Sequence, residues 1–173
     1  MNTTKTFYRA SRERRTSILI FITVLVLSAS AGAQDKRFGG HIGFVIPLAT
    51  EVDGETTTVD DDFVIGFPMG LGVKLSERVT FDLELVPVVQ DTPQEINLVI
   101  HPGAIFAVGS FAVGVRAAFE TDSDAWGFTP LIAKGWPVQG SPVNYFVELD
   151  FPIRFRTDNE TAIGIAFHSG ISF

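Results

Sequence analysis

The side chains able to do chemistry in this 173-residue chain are few, and they alternate with apolar neighbours. Glu84, Arg116, Glu148 and His168 form one set; His41, Asp82, His101, Asp150 and Arg154 form a second. Carboxylates beside imidazoles can pass protons, and a guanidinium offers five donors in a fixed fork that can serve two carboxylates. Nucleophilic catalysis needs more: a nucleophile, a base and an orienting group within hydrogen-bond reach. Ser169 follows His168 directly, but adjacent residues of an extended strand face opposite sides, so the two do not form a simple dyad. Glu148 could orient His168, yet no serine shares their depth. With no cysteine, thiol nucleophiles, disulfide frameworks and Cys-ligated metals are excluded. The expectation is no catalytic residue, no enzymatic activity, no cofactor and no metal centre. Asp60-Asp61-Asp62 could in principle hold Ca²⁺. The run lacks EF-hand spacing and reads as a solvated, mobile loop.

Composition narrows the setting. The chain is 46% hydrophobic and 19% charged, with 16 Phe and 16 Gly, and its net charge of −7 argues against nucleic acid as a partner. The first segment stands apart. Lys5, Arg9, Arg12, Arg14 and Arg15 precede an unbroken apolar run, Ile18–Leu27, and then the small residues Ala31-Gly32-Ala33. That is the three-part layout of a secretory signal peptide over 1–33, with the mature domain at 34–173. The apolar run is too short to span a bilayer, which takes about 20 residues. This segment holds five basic residues and one acid, so its removal takes the net charge from −7 to −11.

Beyond it, period two runs to the end of the chain. In 79–90, Val79, Phe81, Leu83, Leu85, Pro87 and Val89 oppose Thr80, Asp82, Glu84, Val86, Val88 and Gln90. Similar alternation marks 38–48, 63–74, 96–108, 111–120, 126–136, 143–156 and 161–173. Such a repeat belongs to β-strands, whose successive side chains point to opposite faces. Eight strands of this length suit a tilted crossing of a bilayer, which takes about 9–11 residues.

The two faces decide between a soluble sandwich and a membrane barrel. One face is Phe, Ile, Leu and Val; the other is mostly Gly, Ala and Val with isolated charges. Small residues and a few charges fit the cramped interior of a small closed barrel, while a continuous outward apolar band is tolerable in lipid. Closure also removes sheet edges that lipid cannot satisfy. Aromatics gather near strand ends: Phe81, Phe106, Phe111, Trp136, Tyr145 and Phe173 near one rim, Phe63, Phe119, Trp126 and Phe155 near the other. Lys134 breaks the pattern, falling on the apolar parity of its strand. It either snorkels at the strand end or marks a bulge that shifts the register.

The expected fold is therefore all-β: an eight-stranded, antiparallel, up-and-down transmembrane β-barrel. Counted from the short-turn end of each strand, Glu84, Arg116, Glu148 and His168 each lie five residues in. A mid-barrel layer with Arg116 between Glu84 and Glu148 follows. It reads as a structural plug, because an eight-strand barrel is just wide enough for side chains to fill. A narrow gated pore, and a soluble periplasmic barrel or sandwich acting as a binding module, are the alternatives.

The signal segment, the alternating strands and a last strand placing Ile163, Ile165, Phe167, Ser169, Ile171 and Phe173 on one face resemble small bacterial outer-membrane β-barrels of the OmpX/OmpA-domain type. The resemblance implies a Gram-negative outer membrane and contact with its lipid. It also implies that Phe173, Ile171 and Phe167 form the terminal signal read by the barrel assembly machinery. It implies no shared activity, since fold and function separate readily.

Overall fold

The computed structural model describes residues 37–90, 95–156 and 160–173. The expected signal peptide, most of the Asp91–Glu95 connection and residues 157–159 lie outside the described residues. The chain divides into two units, Met1–Phe38 and Gly39–Phe173, and the fold described here is that of the second.

Among the described residues eleven strands follow in order: β1 (Phe38–Val52), β2 (Glu55–Thr58), β3 (Val64–Gly66), β4 (Met69–Lys74), β5 (Val79–Gln90), β6 (Glu95–Val108), β7 (Phe111–Glu120), β8 (Trp126–Pro137), β9 (Asn144–Asp150), β10 (Ile153–Phe155) and β11 (Thr161–Ser172). Ten of them make eight antiparallel staves closed into a barrel, and β2 is a short hairpin strand paired back on β1. Two staves are each built from two strands, β3 with β4 and β9 with β10. Their breaks coincide with Pro68 and Pro152, which lack the N–H that a ladder requires. Hydrogen bonding continues across both breaks, from Phe67 N to Pro87 O at 2.9 Å and from Phe151 N to Pro130 O at 2.9 Å. The barrel closes where β1 meets β11, and there Gly40 and Phe173 exchange two backbone hydrogen bonds of 2.9 Å.

Register fixes the tilt. The row Ala107, Ala112, Ala133, Glu148, His168, Val45, Gly66, Val88, Asn97 follows cross-strand partners once round the barrel. It leaves β6 at Ala107 and returns to β6 at Asn97, a stagger of ten residues. With eight staves, ordinary strand spacing and rise, that stagger tilts the strands about 40° from the barrel axis.

The faces divide as the alternation predicts. Phe44, Phe81, Phe119, Trp126, Phe128 and Leu149 are exposed on the outside. Asp82, Glu84, His101, Arg116, Glu148, Asp150 and His168 are buried inside. Towards the long-loop end, Val86, Val99 and Ala118 pack with Val45 and Val88 into a small apolar cluster. Towards the short-turn end, the Phe146 ring meets His168 at 5.0 Å and His41 at 5.8 Å between centroids. The charged layer lies between these two apolar plugs.

One local reading changes, and the alternative left at Lys134 is decided. The acidic segment from Ala49 to Asp62, which the sequence presents as one long loop, is partly a hairpin. β1 runs on to Val52, Asp53 and Gly54 turn with φ of 53° and 85°, and β2 pairs back from Glu55↔Val52 to Thr58↔Ala49. An Asp-Gly pair suits a two-residue turn that needs two positive φ values. Lys134 sits at an unshifted position, since pairing runs unbroken from Leu131↔Asp150 to Pro137↔Asn144. It faces outward near the strand end, with its ammonium 4.8 Å from the Phe111 ring and 5.6 Å from Trp136. That contact with ring faces is favourable for a cation.

Candidate functional site

The nine interior polar side chains named from the sequence come from six staves, because each points inward at its own register. Asp82 and Glu84 stand two apart on β5, and Glu148 and Asp150 two apart on β9. Arg116 projects from β7 between the two pairs. Its Nε donates to Asp82 Oδ2 at 2.8 Å and its Nη1 to Glu148 Oε1 at 2.6 Å. Glu84 Oε2 lies 3.6 Å from Nη2, and Asp150 Oδ1 lies 3.9 Å from Nη1. Sequence reasoning placed Arg116 between Glu84 and Glu148. The structure makes Asp82, rather than Glu84, its close partner on β5. A depth count cannot resolve two residues of one strand when the staves are staggered.

Two histidines converge on Glu84. His41 donates from Nε2 to Oε2 at 2.8 Å, and His101 from Nδ1 to Oε1 at 3.1 Å. The tautomer of His101 follows from its other nitrogen. Arg154 Nη2 lies 3.2 Å from Nε2, and a guanidinium can only donate, so Nε2 accepts and the proton sits on Nδ1. Arg154 also donates to Thr129 Oγ1 at 3.1 Å and lies 3.7 Å from Glu120. His168 donates from Nδ1 to Glu148 Oε1 at 3.0 Å.

All nine interior residues named from the sequence thus belong to one connected network. The sequence reading omitted Thr129, which is buried and holds Arg154 in place. Its parity was visible, but a lone threonine among small residues carries no distinguishing signal. Ser169 faces away from His168, with its hydroxyl donating to Tyr145 Oη at 2.8 Å. The two do not form a dyad.

Glycines make room for this network. A Cβ at Gly70 would fall 2.0 Å from His41 Cε1, so the imidazole lies flat on bare backbone. What the arrangement does chemically is fill the barrel with paired charge. Each buried carboxylate has a cation or an imidazole within 4 Å, as burial of charge requires.

No family model matches the chain, and no curated protein matches it. Among solved structures, one described as "De novo design of transmembrane beta-barrels" aligns with a TM-score of 0.41 at 16% identity. The alignment covers 75% of this chain and 94% of that one.

Proposed function

We propose that this chain is a small integral β-barrel of a bacterial outer membrane, with a structural or interaction role and a polar, plugged interior. The observation that carries the reading is the outer surface. Phe44, Phe67, Phe81, Val115, Phe128 and Leu149, spread over different staves, are each 39–45% exposed, and many further large apolar side chains join them. A soluble protein rarely exposes a contiguous apolar patch beyond a few hundred Å². Here the apolar face goes round the barrel, and its natural solvent is hydrocarbon.

The dimensions agree. A stave of ten to twelve residues rising about 3.3 Å each, tilted about 40°, covers roughly 25–30 Å along the barrel axis, the thickness of a bilayer core. Aromatic groups lie near both rims. Trp136 stacks on Tyr145 at 6.1 Å beside Lys134, and Trp126 meets Phe155 at 5.0 Å at the other rim. Such rings favour the boundary between lipid and water. Phe173 is 61% exposed, and its backbone is tied to Gly40.

Membrane fractionation with heat-modifiable migration on cold SDS gels tests the reading. The protein is expected in the membrane fraction, migrating faster unheated than boiled. A soluble barrel or sandwich would show neither behaviour.

A further inference from the structure

We propose that Glu148, Asp150 and His168 form a site for one divalent transition-metal ion of the zinc class inside the barrel. Glu148 and Asp150 are alternate residues of β9, and His168 lies directly across from Glu148 on β11. One nitrogen faces both acids: His168 Nδ1 is 3.0 Å from Glu148 Oε1 and 3.8 Å from Asp150 Oδ2. Ligands held about 2.1 Å from a tetrahedral ion stand about 3.4 Å apart, midway between these separations. One imidazole and two carboxylates form a donor set that zinc-class ions accept.

A second observation points to a ligand. Asp150 Oδ1 is buried with no hydrogen-bond partner among the described residues. The Asp150 side chain is 8% exposed and His168 is 1% exposed. Asp150 Oδ1 faces the cluster, 3.9 Å from Arg116 Nη1 and beyond hydrogen-bond reach. An unmet carboxylate oxygen at such burial is costly.

Charge balance favours a cation as well. Four buried carboxylates, Asp82, Glu84, Glu148 and Asp150, surround one buried guanidinium, Arg116. Arg154 is paired with Glu120 and reaches the layer through His101 Nε2. A divalent ion on the β9 side would offset the excess. Arg116 can yield its Nη1 contact and keep Asp82 through Nε.

The mirror-image trio, His41, Asp82 and Glu84, does not offer the same geometry. There Nε2 faces Glu84 and Nδ1 faces Asp82, so the ring bridges the two acids rather than turning one nitrogen to both; at His168 the Nδ1 proton is released when the ion binds and Nε2 carries the ring hydrogen. Glu84 is also engaged by His101, and Asp82 by Arg116.

The test uses Co²⁺ and Zn²⁺ on the full chain folded in detergent, with the metal present during folding and excess then removed. Strand content is verified by circular dichroism. Expected are one Co²⁺ per chain with a visible absorption band, and an affinity lowered more than about 100-fold in Asp150→Asn and His168→Gln. The band should survive in His41→Gln. On the wild type alone, Zn²⁺ should move the ¹⁵N resonance of His168 Nδ1 more than any nitrogen of His41 or His101. A folded wild type without the band, a band untouched by Asp150→Asn, or a dominant shift at His41 or His101 overturns the proposal. Each result is independent of whether the barrel resides in a membrane.

Discussion

Gly103 lies directly across from Arg116 on the neighbouring stave, and the guanidinium stem passes over it. A Cβ at Gly103 would fall 2.7 Å from Arg116 Cγ and 2.6 Å from Val115 O. The second contact is backbone and cannot swing aside. Gly103→Ala should therefore destabilise the barrel by about 1–3 kcal/mol, the usual range for overpacking. Gly135→Ala is the control, because its Cβ would meet nothing closer than Tyr145 O at 3.6 Å. Urea unfolding in lipid vesicles, followed by tryptophan fluorescence, should separate the two variants. Equal stability would mean that Arg116 does not depend on that notch.

Arg116 itself is the cation shared by both carboxylate pairs. Arg116→Met removes the charge and keeps most of the bulk, leaving four buried carboxylates without a guanidinium. The expected cost is about 3–5 kcal/mol, as for breaking a buried ion pair from one side. The same protein in planar bilayers decides between plug and pore. The wild type should not conduct, because the Val86–Val99–Ala118 cluster and Phe146 cap the charged layer at both ends. Steady wild-type conductance would favour the pore reading.

How much of this was legible depends on the length scale of the signal. Strand positions were plain, because a period of two over a dozen residues is hard to mimic: 79–90 and 111–120 match β5 and β7 at both ends. The composition of the interior was equally plain. Individual partners were not. Whether Arg116 meets Asp82 or Glu84 depends on a stagger that no single strand records, since both acids share a parity on β5. The β2 hairpin was missed because its strand, Glu55–Thr58, is short and wholly polar, although Asp53-Gly54 marked the turn. The proline breaks at Pro68 and Pro152 were on view as residues. Their effect depends on whether a neighbouring carbonyl still accepts across the gap, which is a tertiary fact.

Beyond that hairpin, Asp61 gives a pH-dependent prediction. Its Oδ2 accepts the Thr58 backbone N–H at 2.9 Å and the Thr58 hydroxyl at 2.8 Å. Those bonds, the backbone one first, hold the carboxyl below its ordinary value of 3.8. A group whose folded pKa is depressed contributes stability above its unfolded pKa and loses it as pH falls through the folded one. The turn at Thr58–Asp61 should thus stay ordered near neutral pH and loosen only below the ordinary carboxylate range. Carbon-13 titration of Asp61 should give a midpoint below 3.8. Thr58→Val removes only the hydroxyl bond and should return the midpoint part of the way. A midpoint unchanged by the substitution would show that the hydroxyl contributes nothing.

The outward face supplies the sharpest test of the surroundings. Val115 lies mid-strand on β7 and is 43% exposed; Val108 ends β6 beside the Gly109 turn and is 54% exposed. In water the two positions are equivalent, and an arginine at either should change stability by less than about 0.5 kcal/mol. In a bilayer they differ, because Val115 would sit deep in hydrocarbon and Val108 near the headgroups. Val115→Arg should then cost about 2–4 kcal/mol and Val108→Arg about 0–1 kcal/mol. Denaturant titration in lipid vesicles measures both. A depth-dependent gap of this size follows from hydrocarbon around the barrel and from nothing in the strand pairing, which is intact at both sites: Val115 pairs with Ala104 and Val108 with Phe111. Equal, small effects would remove the lipid from the reading and leave a soluble barrel with an apolar coat.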